Sequence, residues 1–141
     1  MRTLTTASAV STLCGLSIWL FAAPQLAGSE VVEPGPFFEL MVVLPTPIGL
    51  IAAMVAMVAG VIVLVRRSAR VWGATLVTTL GQAVTVVLAA AIVLWAMEFG
   101  STGWELIALP VSLMVGQLVV GAGLVADAVV RRRRVRTSVS K

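Results

Sequence analysis

The sequence predicts an all-α integral membrane protein, a compact antiparallel bundle of four transmembrane helices in a single domain over residues 1–141. Three observations carry that prediction. The chain is 60% hydrophobic and only 11% charged. Its mean hydropathy of +1.08 belongs to proteins whose solvent is a bilayer. Finally, the charge changes sign between successive apolar runs. Arg2, then Arg66, Arg67 and Arg70, then Arg131, Arg132, Arg133, Arg134, Arg136 and Lys141 alternate with Glu30, Glu33 and Glu39, then Glu98 and Glu105. Asp127 is the one acidic residue on the basic side. Basic residues flanking a span are retained on the inner side of the membrane. Both chain ends are therefore expected in the cytoplasm, and the Arg-, Val- and Ala-rich usage with a single Lys points to the cytoplasmic membrane of a GC-rich bacterium.

The first crossing is expected over about 4–23. Arg2 followed by an apolar stretch resembles the start of a signal peptide, but Gln25-Leu26-Ala27 places a large polar residue where a cleavage site needs a small one. An uncleaved helix is the expectation. An outer loop follows over 24–39, in which Pro34-Gly35-Pro36 breaks any helix. Phe37 and Phe38 give that loop an apolar side, suited either to folding over the bundle or to meeting a partner. The second crossing is expected over about 40–65, with Pro45-Thr46-Pro47 unwinding its first turn so that regular helix begins near Ile48. A basic inner loop at 66–70 is short enough to make the next helix an antiparallel neighbour. The third crossing covers about 71–97, an outer turn with two glycines covers 98–105, the fourth crossing covers about 106–130, and a basic tail covers 131–141. Trp19, Trp95 and Trp104 fall near the outer boundary and Trp72 near the inner one, where an aromatic belt belongs.

The openings Glu39-Leu-Met-Val-Val-Leu-Pro45 and Glu105-Leu-Ile-Ala-Leu-Pro110 are alike, and each proline precedes an Arg-Arg pair by the same interval. A helical hairpin used twice in the same orientation would produce this pattern. So would the compositional likeness of any two apolar helices.

Apolar faces gain little by meeting inside a bilayer, so close backbone approach and hydrogen bonds must hold the helices together. Each predicted helix has a strip of small residues: Ala7, Ser11 and Gly15; Gly49, Ala52, Ala53, Ala56 and Gly60; Ser112, Gly116, Gly123 and Asp127. The third places Thr75, Thr78, Thr79, Gln82, Thr85 and Ala89 within an arc of about 120°, at about 100° per residue. Leu76, Leu80, Val84 and Val87 lie on its opposite side.

The candidate functional residues are the polar groups expected at membrane depth. Gln82 and Gln117 fall at nearly the same height, within reach of a direct hydrogen bond. Thr78, Gln82, Thr85, Gln117 and Asp127 could equally form a polar track for a small solute or ion. Asp127 lies four positions before Arg131, the spacing of a helical ion pair. The cluster Arg131, Arg132, Arg133, Arg134 and Arg136 suits anionic headgroups or an acidic partner. With no His and only Cys14, a disulfide within the chain and the usual metal and haem ligand sets are excluded. No nucleophile–base pair or phosphate-binding glycine loop is present, so an enzyme and a cofactor are not expected. The basic charge reads as membrane electrostatics, with no nucleic acid as partner.

The expectation is a small accessory or scaffolding subunit of a larger membrane complex, binding another membrane protein or itself. The alternative is a homo-oligomeric transporter or channel, and a third class is a membrane-permeabilising or immunity-type protein.

Overall fold

The computed structural model describes residues 2–27, 35–66, 72–100, 103 and 105–139, with side chains for all of these except 23–27, 72, 106 and 126–139. Every regular element among the described residues is helical. Four long helices follow one another: α1 (Arg2–Ala27), α2 (Pro36–Arg66), α3 (Trp72–Phe99) and α4 (Glu105–Val139). Each contains a stretch long and apolar enough to cross a membrane. Only 28% to 39% of each such stretch is buried inside the bundle, so most of the apolar surface faces outward. A helix apolar all round needs either a larger core or a bilayer around it. Leu20, Ile51, Val87, Leu94 and Leu118 are all exposed on that outer surface.

The helices run alternately up and down. Cys14 of α1 lies at Gly49 of α2 while Ser17 meets Met41, so those two are antiparallel. The same holds for α3 and α4, where Gly81 meets Val120 and Val77 meets Gly123. Each helix packs on its sequence neighbours, and α4 closes the ring against α1. The ends carrying Arg2 and Arg66 therefore lie together, at the opposite end of the bundle from Glu39 and Glu98.

Small residues set these contacts. Gly49, Ala52, Ala53, Ala56 and Gly60 are all buried on one face of α2. A Cβ on Gly49 would meet the Leu113 side chain, and one on Gly60 would strike Thr79. The tightest approach is between α3 and α4. A Cβ on Gly81 would lie 3.2 Å from the Gly116 carbonyl oxygen, and one on Gly116 would lie 3.0 Å from that of Gly81. The predicted arc of α3 is the buried one: Thr75, Thr78, Thr79, Gln82, Thr85 and Ala89 all face inward. Leu76, Leu80 and Val87 are exposed, and Val84 is half-buried. In the turn joining α3 to α4, Gly100 and Gly103 both have φ of 84°, where a side chain would be strained.

The start of α2 differs from the sequence expectation. Helix is not delayed to Ile48; it begins at Pro36 and passes through both Pro45 and Pro47. The reason is a π turn over Glu39–Val43, closed by the Leu44 N–H donating to the Glu39 carbonyl at 2.9 Å. Pro45 has no N–H for the Met41 carbonyl four residues back. That carbonyl instead accepts the Ser17 hydroxyl of α1 at 3.0 Å. The Thr46 hydroxyl donates to the Val42 carbonyl at 2.6 Å. A wide turn and two hydroxyls thus keep a proline-bearing helix regular. Pro110 is likewise buried inside α4, but without a π turn. If duplication produced the two hairpins, they have diverged at this point.

Ser17→Ala removes the bonds that the Ser17 hydroxyl of α1 makes to the carbonyl and sulfur of Met41 in α2. A loss of about 1 kcal/mol is expected, read from the midpoint of denaturant unfolding in micelles.

Candidate functional site

Midway along the bundle, three helices contribute polar side chains to one buried cluster. α1 supplies Ser11 and Thr12, α3 supplies Gln82, and α4 supplies Gln117. Ser11 and Gln82 are fully buried and Gln117 is buried. Gln117 Nε2 donates both of its protons, to Ser11 Oγ at 2.8 Å and to Gln82 Oε1 at 3.1 Å. Ser11 Oγ in turn donates to Gln82 Oε1 at 3.3 Å. The Thr12 hydroxyl donates to Gln117 Oε1 at 2.8 Å.

With Gln117 oriented this way, the arrangement sets the Gln82 amide. Turned by 180°, it would set two NH₂ groups against each other, since Gln117 Nε2 lies 3.1 Å away. In the orientation that satisfies the other members, Gln82 Nε2 is left buried with no partner. Leaving a buried donor unpaired costs about 1–3 kcal/mol. Ser8 Oγ, one turn along α1, is also buried and unpaired.

The Gln82–Gln117 contact is the one the matched heights of the two residues lead one to expect. What sequence reasoning missed is α1: Ser11 was read only as a small packing residue, and Thr12 not at all. The available signal was the arc of Thr5, Ser8, Ser11 and Thr12, as narrow as the one on α3 at 100° per residue. Gln117 reaches α1 because it projects about 100° away from Gly116, which is committed to α3. Position on the helix thus gives adjacent residues different neighbours.

The remaining polar residues do not join this cluster. The Thr78 hydroxyl donates to the Ala74 carbonyl at 2.8 Å, and Thr85 donates to Gly81 at 3.2 Å. Both protons are therefore held by the residue's own helix, a common fate of threonine inside an apolar helix. Thr85 adds a packing role, because its side chain occupies the space beside Gly116. Asp127 lies on α4, but its side chain falls outside the described residues, as do those of Arg131, Arg132, Arg133, Arg134 and Arg136. Glu30 and Glu33 also lie outside them.

Phe37 and Phe38 form part of the first turn of α2 instead of a loop, and they separate in role. Phe38 packs edge-on against Phe21 of α1, with ring centroids 5.6 Å apart, while Phe37 is 65% exposed. Only Phe37 is placed to meet another molecule. Phe38→Ala should therefore destabilise the bundle by about 1 kcal/mol, and Phe37→Ala should leave thermal stability in micelles unchanged.

Chemically, the central cluster contains amides and hydroxyls alone. Such groups accept and donate hydrogen bonds without titrating near neutral pH. Among the described residues no group of three His, Cys, Asp or Glu side chains could hold a metal ion. Comparison with protein families, with curated proteins and with solved structures found no match for this chain. What the fold and cluster define is a class by architecture: a chain whose described residues form four apolar helices of membrane-spanning length, three of them cross-linked at mid-height by side-chain hydrogen bonds.

Proposed function

We propose that this chain is a small multi-pass protein of a bacterial cytoplasmic membrane, with both ends cytoplasmic, serving as a non-catalytic accessory or scaffolding subunit of a larger membrane complex. The observation that carries this reading is the central cluster. Of the polar residues expected along a passage, Gln82 and Gln117 are instead bonded to each other and to α1, and Thr78 and Thr85 to their own helix. In a bilayer such bonds act as structural links, each contributing about 0.6 to 2 kcal/mol. Exposed apolar side chains run along each of the four helices among the described residues, which leaves broad surface for a membrane partner. The sign of the flanking charges supports the orientation.

The test is purification of the tagged protein from its native membrane in a mild detergent, followed by mass measurement of the intact complex. A stoichiometric larger partner is expected. A homo-oligomer without partners would overturn the accessory reading.

One observation favours transport as a second reading: the unpaired Gln82 amide is a donor waiting at mid-height. On that reading Thr78, Gln82, Thr85, Gln117 and Asp127 mark the route through an oligomer. Asp127→Asn separates the two readings. A subunit with a structural Asp127 loses protein level, whereas a transporter keeps its level and loses flux in reconstituted vesicles.

A further inference from the structure

The seam between α1 and α4 is open over one half of the bundle, and α3 forms its floor. The resulting groove encloses about 560 Å³. It is bounded by residues 4–13 of α1, 74–78 of α3 and 120–124 of α4. Its closed end is the central cluster, where Thr12 and Gly15 meet Gln117. Its open end lies beside Arg2.

The groove wall is almost entirely apolar, although Ser and Thr supply five of the residues along it. The hydroxyls of Thr5 and Thr78 turn back to the carbonyls of Arg2 and Ala74, and that of Thr12 goes to Gln117. Thr75 is itself buried, and Ser8 Oγ is buried and unpaired. A polar solute finds few free partners here, so the occupant must be hydrocarbon.

Length decides which hydrocarbon. From Leu4 to Leu13 the groove rises about 13 Å at 1.5 Å per residue. One leaflet of a bilayer core is about 15 Å thick, half of about 30 Å. A partner's transmembrane helix would need a seat through both leaflets, but the cluster closes this one at mid-height. An acyl chain needs one leaflet only.

Charge decides the headgroup. Arg2 is exposed at the groove mouth, and α4 continues beyond Leu124, past the single acidic Asp127, into the segment whose sequence holds Arg131, Arg132, Arg133 and Arg134. Basic pockets between helices on the cytoplasmic side are suited to anionic lipid.

We infer that the α1–α4 groove holds one acyl chain of an anionic phospholipid from the inner leaflet, with its headgroup at the end of the groove beside Arg2. The inference rests on the membrane orientation proposed above and adds a specific lipid site to it.

The test uses the full-length wild-type protein in vesicles of phosphatidylcholine and phosphatidylglycerol. The phosphatidylglycerol carries a photoactivatable group on its acyl chain, and labelled peptides are located by mass spectrometry. Labelling concentrated on residues 4–13 and 74–78 is expected. It should fall at least tenfold in Ala9→Phe, which fills the groove from an exposed position, and should weaken in Arg2→Gln. Equal concentration of a matched phosphatidylcholine probe would overturn the headgroup assignment. Labelling spread evenly over the outward faces would sink the groove while leaving the membrane reading intact. No labelling of any helix would instead count against membrane insertion itself. A co-purified protein displaced by Ala9→Phe would replace the lipid with a partner helix and refute the proposal.

Discussion

Gly116→Val is expected to separate α3 from α4 and to abolish the cooperative unfolding transition in micelles. The position has no room for a Cβ, because the Thr85 side chain already fills the space and the Gly81 carbonyl oxygen lies 3.0 Å away. A flexible side chain could swing aside, but a backbone carbonyl cannot. Overpacking in a dense interior costs about 1–3 kcal/mol, and contact with backbone puts this site at the upper end or beyond it. The effect spreads, because parting α3 from α4 also stretches the Gln82–Gln117 hydrogen bond. Gly121 is the control: a Cβ there meets nothing within 4 Å, so Gly121→Val should unfold like the wild type. If both variants unfold alike, close approach at Gly81 and Gly116 does not hold the pair together.

The second large effect concerns the two glutamines, which are far from equivalent. Gln117→Leu leaves Thr12 without its acceptor and leaves Ser11 and Gln82 with only the bond to each other. With three hydrogen bonds lost at once, a loss of about 2–3 kcal/mol is expected. Gln82→Leu removes one acceptor, yet it also removes a buried donor that has no partner. Those changes oppose each other, and the net change should stay within about 1 kcal/mol. Unfolding both variants in a graded mixture of mild and denaturing detergent measures the difference. Equal losses would mean that Gln82 Nε2 is satisfied by something other than the protein's own side chains, which would strengthen the transport reading.

The four apolar helices were legible in the sequence because length and hydropathy alone define them. The buried face of α3 was legible too, since threonines and a glutamine stand out against Val and Leu on an apolar helix. The small-residue strip of α2 could be read for the same reason. Other features depend on where one helix meets another, and spacing within a helix carries no such information. Pro45 shows the difference. Taken alone it predicts a broken helix, but the structure has a π turn before it and a hydroxyl from α1 on the carbonyl it leaves free. Ser11 and Thr12 show it again: on α1 they pass for small residues until Gln117 reaches across from α4. Asp127 and the arginines beyond it were the strongest charged features of the sequence, and their side chains fall outside the described residues.

The central cluster also imposes an order on assembly. Ser11 finds its partners 71 and 106 residues later in the chain. At a synthesis rate of about 5–20 residues per second, the last of them emerges about 5–20 s after Ser11. Until then the Ser11 and Thr12 hydroxyls have only the carbonyls of their own helix to bond. On the membrane reading proposed above, the first helix waits beside the insertion machinery or another helix for the fourth to arrive.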